Sequence, residues 1–311
     1  MSLRLVCGVD QDLLRDKVSL RALADPHHLR SVAEEEYAAL LDPAGVSLVA
    51  YDGEVAVGAG EVCRMAISPE SYARLFAAVW TLPAARRRGV GSAILVALAE
   101  HARARGKSGL EGECVTDDPA GLAFASAHGL HEDWREHVLL LPLAGRTPEA
   151  VTLTPGVELV DGAADERLLR EAHAVAVEAL ADVPAGSMPM SAGDFAHWRS
   201  LWIDSPAVEN GQVLFALDDG KVAGFAILAC PPGRPGVGHH AITAVARAAR
   251  GKGIAKALKQ RQVRYAIERG LTTLETHNEA TNEPMLAVNR AFGYVQSVDV
   301  VGVVGPLPIS K

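Results

Sequence analysis

The sequence predicts an α/β fold of mixed, layered α+β type, carried twice in tandem, each copy a mixed central sheet flanked by helices. Three observations predict it. A segment repeats: Arg86-Arg87-Arg88-Gly89-Val90-Gly91 returns 164 residues later as Arg250-Gly251-Lys252-Gly253-Ile254-Ala255, and the same offset carries Glu111 to Glu275, Phe124 to Val288 and Gly129-Leu130 to Gly293-Tyr294. Within each copy, strand-like runs alternate with helical spacing, the order of a layered fold. The chain has 311 residues, 49% of them hydrophobic and 22% charged, enough for about two domains with buried cores.

The elements follow in order. Helical regions at 11–41 and 165–202 precede each hairpin. Residues 46–51 and 55–63 read as strands joined by an Asp-Gly turn, and 213–217 with 222–229 repeat that hairpin. A strand near 75–82 runs into the first arginine-glycine loop. Val90, Ile94, Ala97, Leu98 and His101 then keep helical spacing to a stop at Gly106, as Ile254, Ala257 and Leu258 do to a stop at Gly270. A short strand (109–115; 271–277), another helix and a final strand close each copy. Residues 142–155, rich in Gly, Pro and Thr, read as the linker, giving domains 1–148 and 149–311.

Composition excludes several classes. A net charge of −8 argues against a dominant basic surface for nucleic acid. Cys7, Cys63, Cys114 and Cys230 are scattered without a CxxC pair, so they read as small packed hydrophobes. Residues 1–10 lack a charged leader followed by an apolar stretch, and the apolar runs are strand-sized. The expectation is a cytoplasmic protein with no signal peptide, no membrane partner and a monomeric or homodimeric state. His27-His28 and His277 have no partners at metal-ligand spacing, so no metal is expected. Trp198 and Trp202, four residues apart on one helix, read as core.

A strand that ends in a glycine-rich turn and opens into a helix makes an anion site, because backbone N–H groups and the helix dipole point at it. Neither loop fits a GxGxxG dinucleotide fingerprint or a GxxxxGK[ST] phosphate loop. The RxxGxG/A pattern in this context resembles the acyl-CoA pyrophosphate loop of the GNAT superfamily, and the resemblance spans nearly the whole chain. Pro83 stands upstream of the first loop as is common there, whereas Arg247 replaces it in the second.

That resemblance implies acetyl-CoA as acyl donor and direct attack by the amine of a small molecule. It places cofactor contacts on Arg86, Arg87, Arg88, Gly89, Val90 and Gly91, and on Arg250, Gly251, Lys252, Gly253, Ile254 and Ala255. Backbone groups of the preceding strands (Val79, Thr81; Thr243, Ala244, Val245) would polarise the thioester carbonyl. It puts the base at His239, beside His240, where glutamate is more usual, and the acid position at Asn289, which has no useful proton to give. Tyr294, Tyr265 or solvent are the substitutes. Asn282 matches an asparagine that touches the pantetheine arm, although Asn282 and Asn289 also read as helix caps or cross-links.

At the equivalents of His239, Asn282 and Asn289 the first copy has Leu75, Asp118 and Ala125, so catalysis is expected in the second copy. Glu275, like Glu111, reads either as an acceptor-binding carboxylate or as a solvated strand residue. Strand parity sends His240 to the face opposite His239, unless a bulge lies between them. The alternative function is a non-catalytic acyl-CoA-binding protein.

Overall fold

The computed structural model describes residues 3–25, 29–209 and 211–309, so His27 and His28 lie outside the described residues. The first half runs β1 (Leu3–Cys7), α1 (Gln11–Ala24), α2 (Val32–Leu41), β2 (Val46–Asp52), β3 (Val55–Cys63), β4 (Arg74–Thr81), α3 (Val90–Ala104), β5 (Gly109–Val115), α4 (Pro119–Ala127) and β6 (His131–Pro142). The second runs β7 (Val157–Asp161), α5 (Glu166–Leu180), α6 (Phe195–Trp202), α7 (Pro206–Glu209), β8 (Gln212–Asp218), β9 (Lys221–Ala229), β10 (Val237–Val245), α8 (Ile254–Glu268), β11 (Thr273–Glu279), α9 (Glu283–Phe292) and β12 (Val295–Pro306). The chain forms two compact units, Met1–Ala66 with Glu70–Arg135 and Asp299–Lys311, and Ile67–Pro69 with Glu136–Val298.

In the first unit β1 to β5 are sheet neighbours in order and β12 pairs antiparallel with β5, from Val300↔Val115 to Pro306↔Gly109. Helix α3 buries Val90, Ile94, Leu95, Leu98 and Ala102, a 3–4 residue spacing, on one face of the sheet. Gly58 and Gly60 let it approach, since a Cβ at Gly60 would stand 2.5 Å from Ile94. The other face meets α1 through Leu13, Leu20, Val49, Ala59 and Trp80. In the second unit β7 to β11 repeat the order and β6 pairs antiparallel with β11, from Glu136↔Glu279 to Pro142↔Thr273. Trp198, fully buried, packs with Phe225 at one face under α5 and α6, as expected of core; α8 lies on the other.

The expected division at 148/149 differs from these units, because each half's last strand completes the other unit's ladder. Two matched 12-residue strands, β6 and β12, fit either position, so repetition alone cannot tell which pairing forms. The expected linker also begins late: Pro142 ends β6 and Leu143 is buried, its N–H bonded to Thr272 O.

One residue separates the two copies of the strand before the loop. β4 has eight residues and pairs with β3 without a register shift, while β10 has nine and shifts register between His240 and Ile242. Ala241 is the extra residue, a β-bulge. It lies after His240, so His239 and His240 do point to opposite faces. The bulge also corrects the matching of the copies. Phe76 pairs with Glu111 as His239 pairs with Glu275, so Phe76, not Leu75, stands at the position of His239.

Candidate functional site

Among the described residues, every other helix of eight residues or more has a side-chain cap at its N-terminus: Asp10, Ser31, Asp118, Asp165, Asp194 and Asn282. Helices α3 and α8 have none. Their N-caps are Gly89 (φ +82°) and Gly253 (φ +76°), a left-handed conformation that glycine adopts without strain. The first-turn N–H groups, which a helix leaves without internal partners, therefore face outward with no side chain across them. Around them Arg88 pairs with Asp52 (3.3 Å), Arg250 with Asp182 (2.7 Å) and Lys252 with Asp218 (2.9 Å). These are exposed ion pairs of small net worth that a phosphate could exchange for. The Gly/Ala difference at the last loop position is also accounted for. A Cβ at Gly91 would stand 3.2 Å from Phe124, whereas Ala255 matches Gly91 where Val288 matches Phe124.

From each loop a slot leads back into the sheet. The parallel pairing of β10 with β11 covers three residue pairs and stops at His239↔Glu275, although β10 keeps its bonds to β9 as far as Val245. Beyond that point the strands part, and one edge of β10, including Thr243, Ala244 and Val245, has no ladder partner among the described residues. β4 and β5 part in the same way after Phe76↔Glu111. Such a slot fits an extended chain lying between two strand edges.

On the face of β10 that His239 presents, four polar side chains converge. Arg234 donates two hydrogen bonds to Glu275, at 2.8 and 2.7 Å. His239 Nδ1 lies 3.5 Å and His277 Nε2 3.3 Å from Glu275 Oε1. Burial works to raise the carboxyl's pKa, but the Arg234, His239 and His277 hydrogen bonds overcome it and hold Glu275 well below the usual range. For His277 burial is likewise overcome, by Glu136 and Glu275, and its pKa is pushed up to about 9. His239 goes the other way: burial and the neighbouring His277 charge lower it below 6.5. Its side chain keeps 28% exposure, so the ring remains open to solvent. The result is a neutral imidazole whose Nδ1 faces a fixed carboxylate and whose Nε2 is left to take a proton.

Glu275 is thus not a solvated strand residue but a buried carboxylate held by Arg234. His277 does acquire partners, which its sequence spacing hid, because alternate β11 residues share a face. Ligand-type atoms of His239, Glu275 and His277 lie within 4.8 Å of one another. A cation there would have to displace Arg234 from both carboxylate oxygens and a proton from His277.

The opposite face holds a second, buried group. His240 Nδ1 lies 2.8 Å from Gln262 Oε1 and Nε2 2.5 Å from Tyr294 Oη, so Gln262 accepts and the tyrosine donates. Burial, then the nearby Lys259 charge, hold His240 well below 6.5, so it is neutral. Lys259 donates to Asn289 Oδ1, and Asn289 donates to Asn278 Oδ1. Asn282 caps α9 through Met285 N at 3.5 Å, and Asn289 cross-links α8 to β11. Of the two tyrosine substitutes, Tyr265 is committed to Gly211 O at 2.9 Å and Tyr294 to His240. Arg234, Lys259 and Gln262 escaped sequence reasoning. The repeat carried the signal, because Lys259 and Gln262 take the places of Leu95 and Leu98 on the buried face of α3.

Comparison with known proteins agrees with this geometry. The acetyltransferase (GNAT) family profile matches residues 13–130 and again 177–294. The chain is 29% identical over 293 residues to a mycothiol acetyltransferase of Amycolatopsis mediterranei, covering 86% of this chain and 90% of that one. It is 27% identical over 312 residues to a mycothiol acetyltransferase of Pseudarthrobacter chlorophenolicus, covering 93% and 91%. In fold it is similar to a tandem GNAT protein from the clavulanic acid biosynthesis pathway (TM-score 0.80, 22% identity, all of both chains). A GCN5-related N-acetyltransferase from Sphaerobacter thermophilus is similar too (TM-score 0.74, 18% identity, 99% and 97% of the chains). The chain belongs to the acetyltransferase (GNAT) family and is an acyltransferase that carries the fold twice.

Proposed function

We propose that the protein transfers acetyl from acetyl-CoA to a primary amine of a small molecule, and that the second unit does the chemistry. The observation that carries the reading is the slot at β10/β11, which starts at a solvent-open neutral histidine and ends at an uncapped helix N-terminus. In this reading the loop from Arg250 to Ala255 takes the pyrophosphate, with Asn282 near the pantetheine arm. The backbone of Thr243, Ala244 and Val245 polarises the thioester carbonyl.

His239 Nε2 accepts the proton of the acceptor ammonium, and the freed amine attacks the carbonyl carbon. Glu275 orients the ring through Nδ1 and stabilises the imidazolium, while Arg234 keeps the carboxylate in place. In the first unit the loop from Arg86 to Gly91, with Val79 and Thr81, supports holding coenzyme A without turnover, since Phe76 cannot accept a proton. The relatives named as mycothiol acetyltransferases make their acceptor the first small amine to test.

The experiment is thiol release from acetyl-CoA across a panel of small amines that includes that acceptor, with calorimetry for donor binding. Turnover with at least one amine, and at least one donor site per chain, is expected. Binding without turnover of any amine would count against amine transfer, and no binding at millimolar donor would end the acyl-CoA reading.

A further inference from the structure

We propose that Lys259 is the proton donor that meets the thiolate leaving from an acyl thioester in the second unit. The inference rests on the acetyl-CoA reading above and adds the group that handles the departing sulfur.

Two lysines among the described residues are almost completely buried. Lys17, in the first unit, has two carboxylates on its ammonium, Glu35 and Glu61. Lys259 has none: its partners are the amide oxygen of Asn289 and the face of the Tyr294 ring, whose centroid lies 4.8 Å away. Asn289 of α9 and Tyr294 touch it, and they are bonded in turn to Asn278 of β11 and to His240 of β10, which is bonded to Gln262 of α8. All are uncharged at neutral pH.

Burial lowers the ammonium's pKa to about 7, so it holds and gives up a proton near neutrality. The fold does not require it. By the 164-residue offset, Lys259, Gln262, Asn278, Asn289 and Tyr294 stand where the first unit has Leu95, Leu98, Cys114, Ala125 and Leu130, all packed in its apolar core. The second unit has replaced a self-sufficient hydrophobic layer with amides, a tyrosine and an unpaired cation at the same sites.

Position gives this group its use. Asn278, half-buried, stands on β11 just past the point where β10 and β11 part, and it is bonded through Asn289 to Lys259. His239 lies on one face of the splayed pair and Lys259, beside His240, on the other. An amine deprotonated on the first face and a sulfur departing toward the second occupy opposite sides of one carbonyl carbon. The step balances as follows. The nitrogen lone pair forms the N–C bond, the C–S bonding pair goes to sulfur, sulfur takes a proton from Lys259 Nζ, and the second proton of the acceptor nitrogen leaves to solvent as the amide forms. The neutral Lys259 amine is then reprotonated from solvent.

The test reads the sulfur directly and needs no acceptor. Coenzyme A is bound to the full chain in a Gly89→Glu background, so that the second unit is observed, and the bound thiol is titrated by the ultraviolet absorbance of its thiolate. An ammonium in contact should favour the thiolate, so Lys259→Leu should lower the thiolate fraction at fixed neutral pH by roughly tenfold or more, with coenzyme A affinity little changed. Lys259→Arg should keep the thiolate but, having no proton to give near neutrality, slow turnover as Leu does. Lys259→Met repeats the comparison should the leucine variant not fold. Superimposable titrations in the unmodified and leucine chains would overturn the proposal. Failure of the unmodified chain to bind coenzyme A would instead remove the acyl-CoA reading and the proposal with it.

Discussion

The two units differ in what each sheet buries under the helix that follows the anion loop. In the first, the ions lie on the face covered by α1 and α2: Lys17, Arg21 and Glu35 from the helices meet Glu61 of β3, and Arg30 lies 3.9 Å from both carboxylates. The other face is apolar against α3. In the second unit the face away from α8 holds the apolar core of Trp198, Phe225 and Ile227 together with the Arg234–Glu275–His277 cluster, and the polar group of His240, Gln262, Lys259 and Asn289 lies against α8 and α9. Ions that neutralise one another, as at Glu61, hold a structure together. Burial works to raise the Glu61 pKa, but Lys17, Arg30 and Arg21 bring it down to about 2. A cation left with an amide and a ring, as at Lys259, costs stability and is kept for some other reason. On the proposed reading, one fold serves as a scaffold in one copy and as chemistry in the other.

The largest effect should separate the copies at the base position. His239→Ala is expected to lower kcat/KM by about 10²–10⁴-fold, while Phe76→Ala at the matching site leaves it nearly unchanged. In the unmodified chain kcat/KM should rise with pH through a value below 6.5, because His239 must be neutral to accept a proton and burial lowers its pKa. Loss of that limb in His239→Ala, and its survival in His240→Ala, is what the assignment requires. Equal pH profiles in all three chains would break it.

A comparable effect on stability, with none on chemistry, is expected in the first unit. Glu61→Gln leaves Lys17 and Arg21 short of a counter-charge and should cost about 3–5 kcal/mol of unfolding free energy by denaturant titration. The sign with pH follows from its depressed pKa. The Glu61 contribution is present above the ordinary 4.5 and is lost as pH falls toward about 2. A variant as stable as the parent, or one whose folded molecules turn over more slowly, would sink the scaffold assignment.

The smallest effect runs the other way. Lys259→Leu should raise unfolding stability by about 1–4 kcal/mol, since an uncompensated buried ion is replaced by the residue type the first unit uses. The folded pKa is about 7 against an ordinary 10.5, so the unfolded chain binds more protons between those values and the parent gains stability as pH rises. The leucine variant's advantage should therefore be full below pH 7 and fade toward 10.5. An advantage that grows with pH would contradict this account of the burial.

Much of this was legible in the sequence, because repeated spacing reports element length and helix period directly. α3 and α8, each of 15 residues, start 164 residues apart as read. A strand's partner is not written in its own spacing, so the exchange of β6 and β12 was hidden. The bulge was hidden for a related reason. Ala241 adds one residue to β10 while the loop keeps its offset, which displaced the match of His239 from Phe76 to Leu75. Contacts between segments brought Arg234 and His239 to Glu275 and His277 of β11. Lys259 was readable in principle, as a lysine where helical periodicity demands an apolar residue.

The claim that the second unit carries the reaction is tested most directly by crowding one anion loop at a time and measuring thiol release from acetyl-CoA with a productive amine. Gly253→Glu and Gly89→Glu place a carboxylate at matching helix N-caps of the same left-handed conformation, so backbone strain is common to both and cancels in the comparison. Gly253→Glu should bring release to background. Gly89→Glu should leave it near that of the unmodified chain while removing any coenzyme A held by the first unit. The reverse pattern in folded proteins, with release lost in Gly89→Glu and kept in Gly253→Glu, would place the chemistry in the first unit and contradict the account.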